Sequence, residues 1–346
     1  MKRRYSLDLW KLVFAYVIAC FHFGSAIAPG PTVTVQLFFF ISGFFLARKY
    51  YARSHTDGGE SYTAWNYTLD HCKGLYPHYL FAYAVYLLYN TARAAGEFLS
   101  SPNFEEVREV LLSWYEQIPN LLFLQSAYYS HDSMNYPLWQ ISALMIGGYF
   151  VYALLCHNER LSRQLILPAG ILMVLSLQYS GVAFDGTYGF FYMPLLRAFC
   201  GLSFGVLVYY FTTSPWYAQL KRNSILWNLA VLLAPVCIFV YAEHANIHFV
   251  TGALLILGCY DEDSWMNKLL DHKLFRHCGK LSLSIYVNHA LICRFTQGFL
   301  FHRLENMGLL TGKGEQTVFY LVLLTLYSIA TMAGIEAWCR RKKKNV

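Results

Sequence analysis

Apolar runs of roughly 17 to 25 residues recur along this chain from end to end, and that recurrence limits its folds more than any other feature. Coiled as a helix, a run of this length spans the hydrocarbon core of a bilayer. Lipid offers no partner to backbone N–H and C=O groups, so open sheets are excluded. A β-barrel would alternate apolar and polar residues over ten-residue segments, and these runs do not alternate. The expectation is an all-α, polytopic membrane bundle of about ten transmembrane helices. Candidate spans are 9–28, 33–51, 74–93, 137–157, 164–181, 190–211, 225–242, 246–260, 280–301 and 317–338, of which 164–181 and 246–260 are short. Charged residues make up 14% of the chain, against about 25% in a soluble domain.

Charge then orients the bundle. Most of the 27 Lys and Arg residues lie at the two termini or in the loops on the same side as the termini. The opposite loops hold only Arg93, Arg108, Arg303 and Lys313. This bias predicts that both termini are cytoplasmic, in a multi-pass protein of the cell membrane. The net charge of +7 thus follows from topology and implies no nucleic-acid partner. Neither a linker nor a repeat divides the chain, which reads as one integral membrane domain over 1–346. Lys2-Arg3-Arg4, an apolar core and Ala26-Ile27-Ala28 imitate a cleavable signal peptide, but the polar residues of this segment argue for its retention. The nine cysteines fall in spans or on the cytoplasmic side and form no CxxC or Cys/His cluster, so neither disulfides nor a metal are expected. Asn66-Tyr67-Thr68 is a glycosylation sequon by pattern only, since it lies in a cytoplasmic loop.

The longest outer segment, about 94–136, contains a capping pattern at Asn103 and Glu106, an amphipathic stretch, and a break near Pro119. Such a piece either lies on the membrane or dips back into the protein, where irregular backbone is tolerated beside a cavity. The 28 Tyr and 26 Phe form interfacial belts or line a sugar site, two uses that composition does not separate.

The first span carries the chemistry. In YSLDLWKLVFAYVIACFHFG, residues 5–24, Lys11 and His22 are eleven positions apart. At 100° and 1.5 Å per residue they share one helix face, about 20° apart in angle and roughly 16 Å apart along the axis. Asp8 lies about 40° from His22 on the same stripe and three residues from Lys11, with which it can pair. A polar stripe on a membrane helix must face protein or water. Lysine at the cytoplasmic end suits the phosphate of an incoming cofactor, and histidine in the outer half suits a general base for a hydroxyl. The rival reading has Lys11 reaching the interface and His22 making a structural interhelical hydrogen bond.

With Leu7-Asp8, Lys11 and His22, this stretch resembles the first helix of the acyltransferase-3 family, integral membrane enzymes that acylate mainly bacterial cell-surface sugars. The family commonly has arginine where this chain has Lys11, which keeps the charge but loses bidentate geometry. FFFISGFFLARKY, 38–50, is similar to the family's Phe-rich Ser-Gly-Phe motif, in which Gly43 would permit close helix contact and Ser42 a hydrogen bond across it. CKGLYPHYL, 72–80, stands where the family has an arginine-rich start closing in Leu-x-Pro, and Lys73 and Pro77 match it. NYPLWQISALMIGGYF (135–150, with Trp139), LLRAFCGLSFGVLVYY (195–210, led by Arg197) and CGKLSLSIYVNHALI (278–292, with Tyr286 and His289) resemble further family blocks in the family's order.

The resemblance implies O-acyl transfer from an acyl-CoA, acetyl-CoA above all, to a hydroxyl of a cell-surface or lipid-linked glycan. His22 would be the catalytic base, and Lys11, Arg197 and Lys73 would hold donor phosphate. Asp8, Ser42, Trp139, Tyr286 and His289 would support the site. For His289 a satisfied core histidine is the rival reading, with Arg294 one turn away as a neighbour, and for Arg197 a structural ion pair. Glu243, His244 and His248 lie close together without a metal pattern, and His131 and Asp132 are adjacent, without the His-x-x-x-x-Asp spacing of soluble acyltransferases. Glu336 is expected to pair with Arg340. Two other functions fit the same composition: transport of a lipid-linked sugar or small anion, and a catalytically degenerate family member.

Overall fold

The structure, a computed structural model, describes residues 5–25, 31–54, 62–127, 134–183, 186–189, 191–221, 224–240, 245–261, 264–270, 272–310 and 312–344. Its main helices are α1 Tyr5–His22, α2 Pro31–Ser54, α3 Ala64–Ser100, α4 Phe104–Glu116, α5 Trp139–Leu161 and α6 Leu167–Tyr179. They continue with α7 Met193–Phe211, α8 Ser224–Val240, α9 Ala245–Tyr260, α10 Cys278–Phe295 and α11 Lys313–Lys344. The only strands among the described residues form a two-stranded hairpin, Thr187–Tyr188 against Phe191–Tyr192. The all-α expectation therefore holds.

Every expected span overlaps a helix, but among the described residues, by length and apolar composition alone, only Tyr136–Tyr179, Met193–Phe211 and Lys313–Arg341 qualify to cross a membrane. Asn228–Val240 and His248–Tyr260 are apolar but shorter. Helices such as α1 carry charged residues that turn inward, which lowers their mean hydropathy; Asp8 is buried on α1.

Boundaries differ from expectation in two places. Between the fourth and fifth expected spans there is no loop, only a break at Asn158, whose φ of −156° and ψ of 94° leave the helix. Asn158 then caps the next turn by accepting from the Leu161 backbone N–H at 2.9 Å. Helix α3 begins at Ala64, ten residues before its expected span, so the second half of the loop 52–73 is helical and holds the Asn66-Tyr67-Thr68 sequon.

The segment expected to lie outside, 94–136, runs from the end of α3 through α4 into an irregular stretch that is described as far as residue 127. Asn103 caps α4 through the Glu105 N–H at 3.1 Å, and α4 leaves Leu111, Leu112 and Tyr115 exposed. Around Pro119 the chain turns inward, burying Gln117, Asn120, Phe123, Gln125 and Ser126. Several of its polar groups are met inside the protein: Tyr79 donates to the Asn120 carbonyl at 2.5 Å, Asn120 donates to Gln117 at 2.8 Å, and Ser126 donates to the Trp139 carbonyl at 2.7 Å.

Two contacts set the frame for the site. Helices α2 and α7 cross backbone to backbone, because a Cβ on Gly43 would collide with the Leu202 carbonyl and one on Gly205 with the Phe40 carbonyl. Helices α1 and α10 run parallel and in register. Ser282 donates to the Lys11 carbonyl at 2.8 Å, and Cys293 contacts the His22 carbonyl at 3.5 Å, eleven residues further along both helices.

Candidate active site

His22 stands where it does because α1 stops there. Gly24 takes φ of +76°, and the Gly24 and Ser25 N–H groups close back onto the Phe21 and Cys20 carbonyls at 2.8 and 3.0 Å. This is a glycine-terminated helix end that a side chain at position 24 would strain. The half-buried His22 ring therefore sits in the last turn of α1, facing α10.

Its neighbour there is His289, with ring centroids 5.1 Å apart and the rings tilted by 35°. His289 is fully buried, and its Nδ1 lies 2.6 Å from the Tyr286 carbonyl. A carbonyl can only accept, so Nδ1 carries the proton and Nε2 is left as an acceptor. That Nε2 is buried with no hydrogen-bond partner among the described residues. Tyr320 ties the two helices together at this level, donating to the His289 carbonyl at 3.2 Å and the Ala19 carbonyl at 3.4 Å. Arg294 turns elsewhere, toward the Tyr86 hydroxyl at 3.4 Å.

Below the histidines, one turn toward the start of α10, Tyr286 donates to the Pro137 carbonyl and stands 5.6 Å from the His289 ring. Tyr286 forms the inner end of a cavity of about 240 Å³. Lys11, Ser42, His71, Gln140 and Ser282 also line it, together with apolar residues that include Phe38 and Leu75. On α1 the cavity is lined by Lys11, and on α10 it reaches Tyr286, one helical turn short of His289.

A basic rim surrounds the Lys11 end. Lys11 pairs with the buried Asp8 at 4.0 Å and lies over the Phe45 ring at 5.1 Å, and Arg48 lies over the same ring at 5.9 Å. Lys49 contacts Asp70 at 3.0 Å and covers the Tyr62 ring, as does Arg53. The Tyr62 hydroxyl, donating at 2.6 Å, and Lys49 hold the Asp70 carboxyl down at about 2. Burial, helped by Lys49 and Lys11, pulls the His71 imidazole down to about 4, so it lines the cavity in its neutral form.

The structure thus brings together Lys11, Ser42 and Tyr286 around one cavity, with Asp8 behind Lys11 and with His289 and His22 beyond the Tyr286 end. Of the other two expected phosphate contacts, one stands at the outer edge of the rim and one lies elsewhere. Lys73 is 77% exposed, 3.9 Å from Asp70, and does not line the cavity. Arg197 is buried against Trp139, 5.8 Å from its ring. Trp139 packs at Phe39, six residues along α2 from the Phe45 that meets Lys11, so Lys11 and Arg197 lie roughly 9 Å apart in level. Sequence reasoning counted Arg48, Lys49 and Arg53 only as topological charge, although their crowding just after the Ser42-Gly43 motif was a usable signal. It passed over His71, Gln140 and Ser282 as site residues. His248 is buried, whereas Glu243, His244, His131 and Asp132 lie outside the described residues. Among the described residues no group of three metal-ligating side chains occurs.

No curated protein and no solved structure matches this chain. One family model does, described as an acyltransferase domain, and it matches residues 4–336. That match takes in both ends of the α1 stripe, the cavity and its rim, and the protein accordingly belongs to the acyltransferase-3 family of membrane acyltransferases.

Proposed function

We propose that this acyltransferase moves an acetyl group from acetyl-CoA to a hydroxyl of a cell-surface or lipid-linked glycan, in the plasma membrane, with ten spans and both termini cytoplasmic. The observation that carries the reading is the line from the basic rim through the cavity to Tyr286, His289 and His22. The cavity is narrow and mostly apolar, which suits an unbranched thioester arm rather than a nucleotide. The donor's phosphates then stay at the rim, near Lys11, Arg48 and Lys49, where charge-assisted contacts to an anion are strongest.

The half-buried His22 receives the acceptor from the opposite side. It takes the proton of the glycan hydroxyl as the oxygen attacks the thioester carbonyl, the carbon–sulfur bond breaks, and the proton returns to the departing thiolate. Buried His289, with Nδ1–H committed to the Tyr286 carbonyl, packs its fixed ring against that of His22 and so holds the base in place. For the thioester to reach His22, the Tyr286 ring must yield, releasing its bond to Pro137.

Transfer of labelled acetyl from acetyl-CoA by the purified protein tests this, alongside mass spectrometry of surface glycans with and without the gene. His22→Ala is expected to keep the fold and lose transfer, and an active His22→Ala protein would remove that residue from the mechanism.

A further inference from the structure

Away from the cavity, an open apolar groove of about 740 Å³ runs between α3 and the C-terminal helix α11. Its walls include Tyr76, Leu80 and Ala84 on one side and Tyr327, Gly334 and Trp338 on the other. Helix α11 is the least covered of the candidate spans, with 28% of its most apolar window buried.

Two features say what fits there. Gly334 lies inside a long helix, where glycine costs backbone entropy, and apart from its chain neighbours and the adjacent backbone of that helix no atom of the described residues comes within 4 Å of the place its Cβ would take. The protein's own packing therefore gives no reason for a missing side chain, whereas an apolar chain lying along the helix does. Beyond the rim the charge is basic. Lys73 stands one turn past Tyr76 on the groove face of α3, and Arg341 one turn past Trp338 on that of α11, and both are exposed. Lys280 and Arg340 share the single carboxylate of Glu336 at 2.6 and 3.0 Å, and Lys73 and Lys49 share that of Asp70, so each group keeps an excess cation. An aromatic rim beneath a basic collar matches the headgroup level of a bilayer.

From this juxtaposition we infer that the groove between α3 and α11 binds an acyl chain of an anionic phospholipid from the leaflet on the side of the chain termini, with the lipid phosphate between Lys73 and Arg341. The site is independent of the acyl-transfer reading, since it requires neither the histidines nor the cavity.

Native mass spectrometry of the full chain, delipidated in detergent and titrated with dioleoyl phosphatidylglycerol or dioleoyl phosphatidylcholine, tests it. One tightly held phosphatidylglycerol per chain is expected, at roughly tenfold or greater preference over phosphatidylcholine. Gly334→Phe, which fills open space, is expected to remove that binding while leaving the thermal transition intact. Lys73→Glu with Arg341→Glu is expected to erase the headgroup preference and leave residual binding. Equal retention of both lipids by the wild type, or wild-type retention by Gly334→Phe, would overturn the site. So would a Gly334→Cys variant that cross-links to a second copy in lipid vesicles, because the groove would then be an interface between chains.

Discussion

His22 and His289 face each other across two parallel helices, their ring centroids 5.1 Å apart. The register is held by Ser282 on the Lys11 carbonyl at one end and Cys293 on the His22 carbonyl at the other. Under the proposed mechanism His289 is a positioning residue for His22, and its substitution should act on turnover. His289→Leu is expected to lower kcat by about 100-fold, at the low end of what a general base contributes, with the KM for acetyl-CoA nearly unchanged. His289→Gln, which can restore an acceptor near the Nε2 position, is expected to recover part of that loss. A steady-state comparison of the two variants, with the pH profile of kcat, checks this; equal kcat in both variants would mean that the ring serves packing alone.

Phosphate contact at the rim should appear in KM. Lys11→Ala and Lys49→Ala are each expected to raise the KM for acetyl-CoA about tenfold, the size of one charge-assisted contact. Lys73→Ala is expected to change it less, because its ammonium is 77% exposed against 31% for Lys49. Raising the salt concentration should shrink the difference between wild type and variants, since the rim is open to solvent. Initial-rate measurements at two ionic strengths decide the matter.

The crossing of α2 and α7 leaves no room for side chains at its centre. Gly43→Val and Gly205→Val each place a methyl-bearing carbon against a backbone carbonyl, which cannot move as a flexible side chain can. Overpacking of this kind typically costs about 1–3 kcal/mol or more. Both variants are expected to lose thermal stability and monodispersity, read by fluorescence-detected size exclusion during heating. A wild-type transition in either one would mean that the helices can separate without cost.

Acid should weaken the fold through His71. Its folded value of about 4 lies below the ordinary 6.5, so between those values the unfolded chain binds a proton that the folded chain refuses. Stability therefore falls as pH drops from 6.5 toward 4 and is unaffected by this group above that range. The depressed Asp70 carboxyl acts only at lower pH, between its ordinary value and about 2. The midpoint of thermal unfolding in detergent is expected to drop between pH 7 and pH 5, and less so in His71→Asn; parallel curves would assign the loss to other groups.

Tyr286 closes the inner end of the cavity, so its hydroxyl bond should influence access to the histidines. Tyr286→Phe gives up one buried hydrogen bond, about 1 kcal/mol of stability, and frees the ring to move. Slower transfer with donor binding intact would contradict a gating role, whereas unchanged or faster single-turnover transfer is the expected result.

Much of this was readable from residues alone. The helices follow from run length and the demand that backbone groups be paired in lipid, and the stripe on α1 follows from 100° per residue applied to Asp8, Lys11 and His22. Gly43 was legible because only a residue without a side chain lets two backbones touch. These properties are local: they depend on a residue's own helix and on the solvent around it. What residues alone left open is which neighbour each stripe meets. That Cys293, 271 positions from His22, touches its carbonyl, that the His289 ring packs beside the His22 ring, and that Lys73 is more exposed than Lys49 are matters of helix rotation and register. In a bilayer, apolar faces gain little by choosing one apolar partner over another, so small residues and buried polar bonds between distant helices select the arrangement, and only the assembled bundle reveals them.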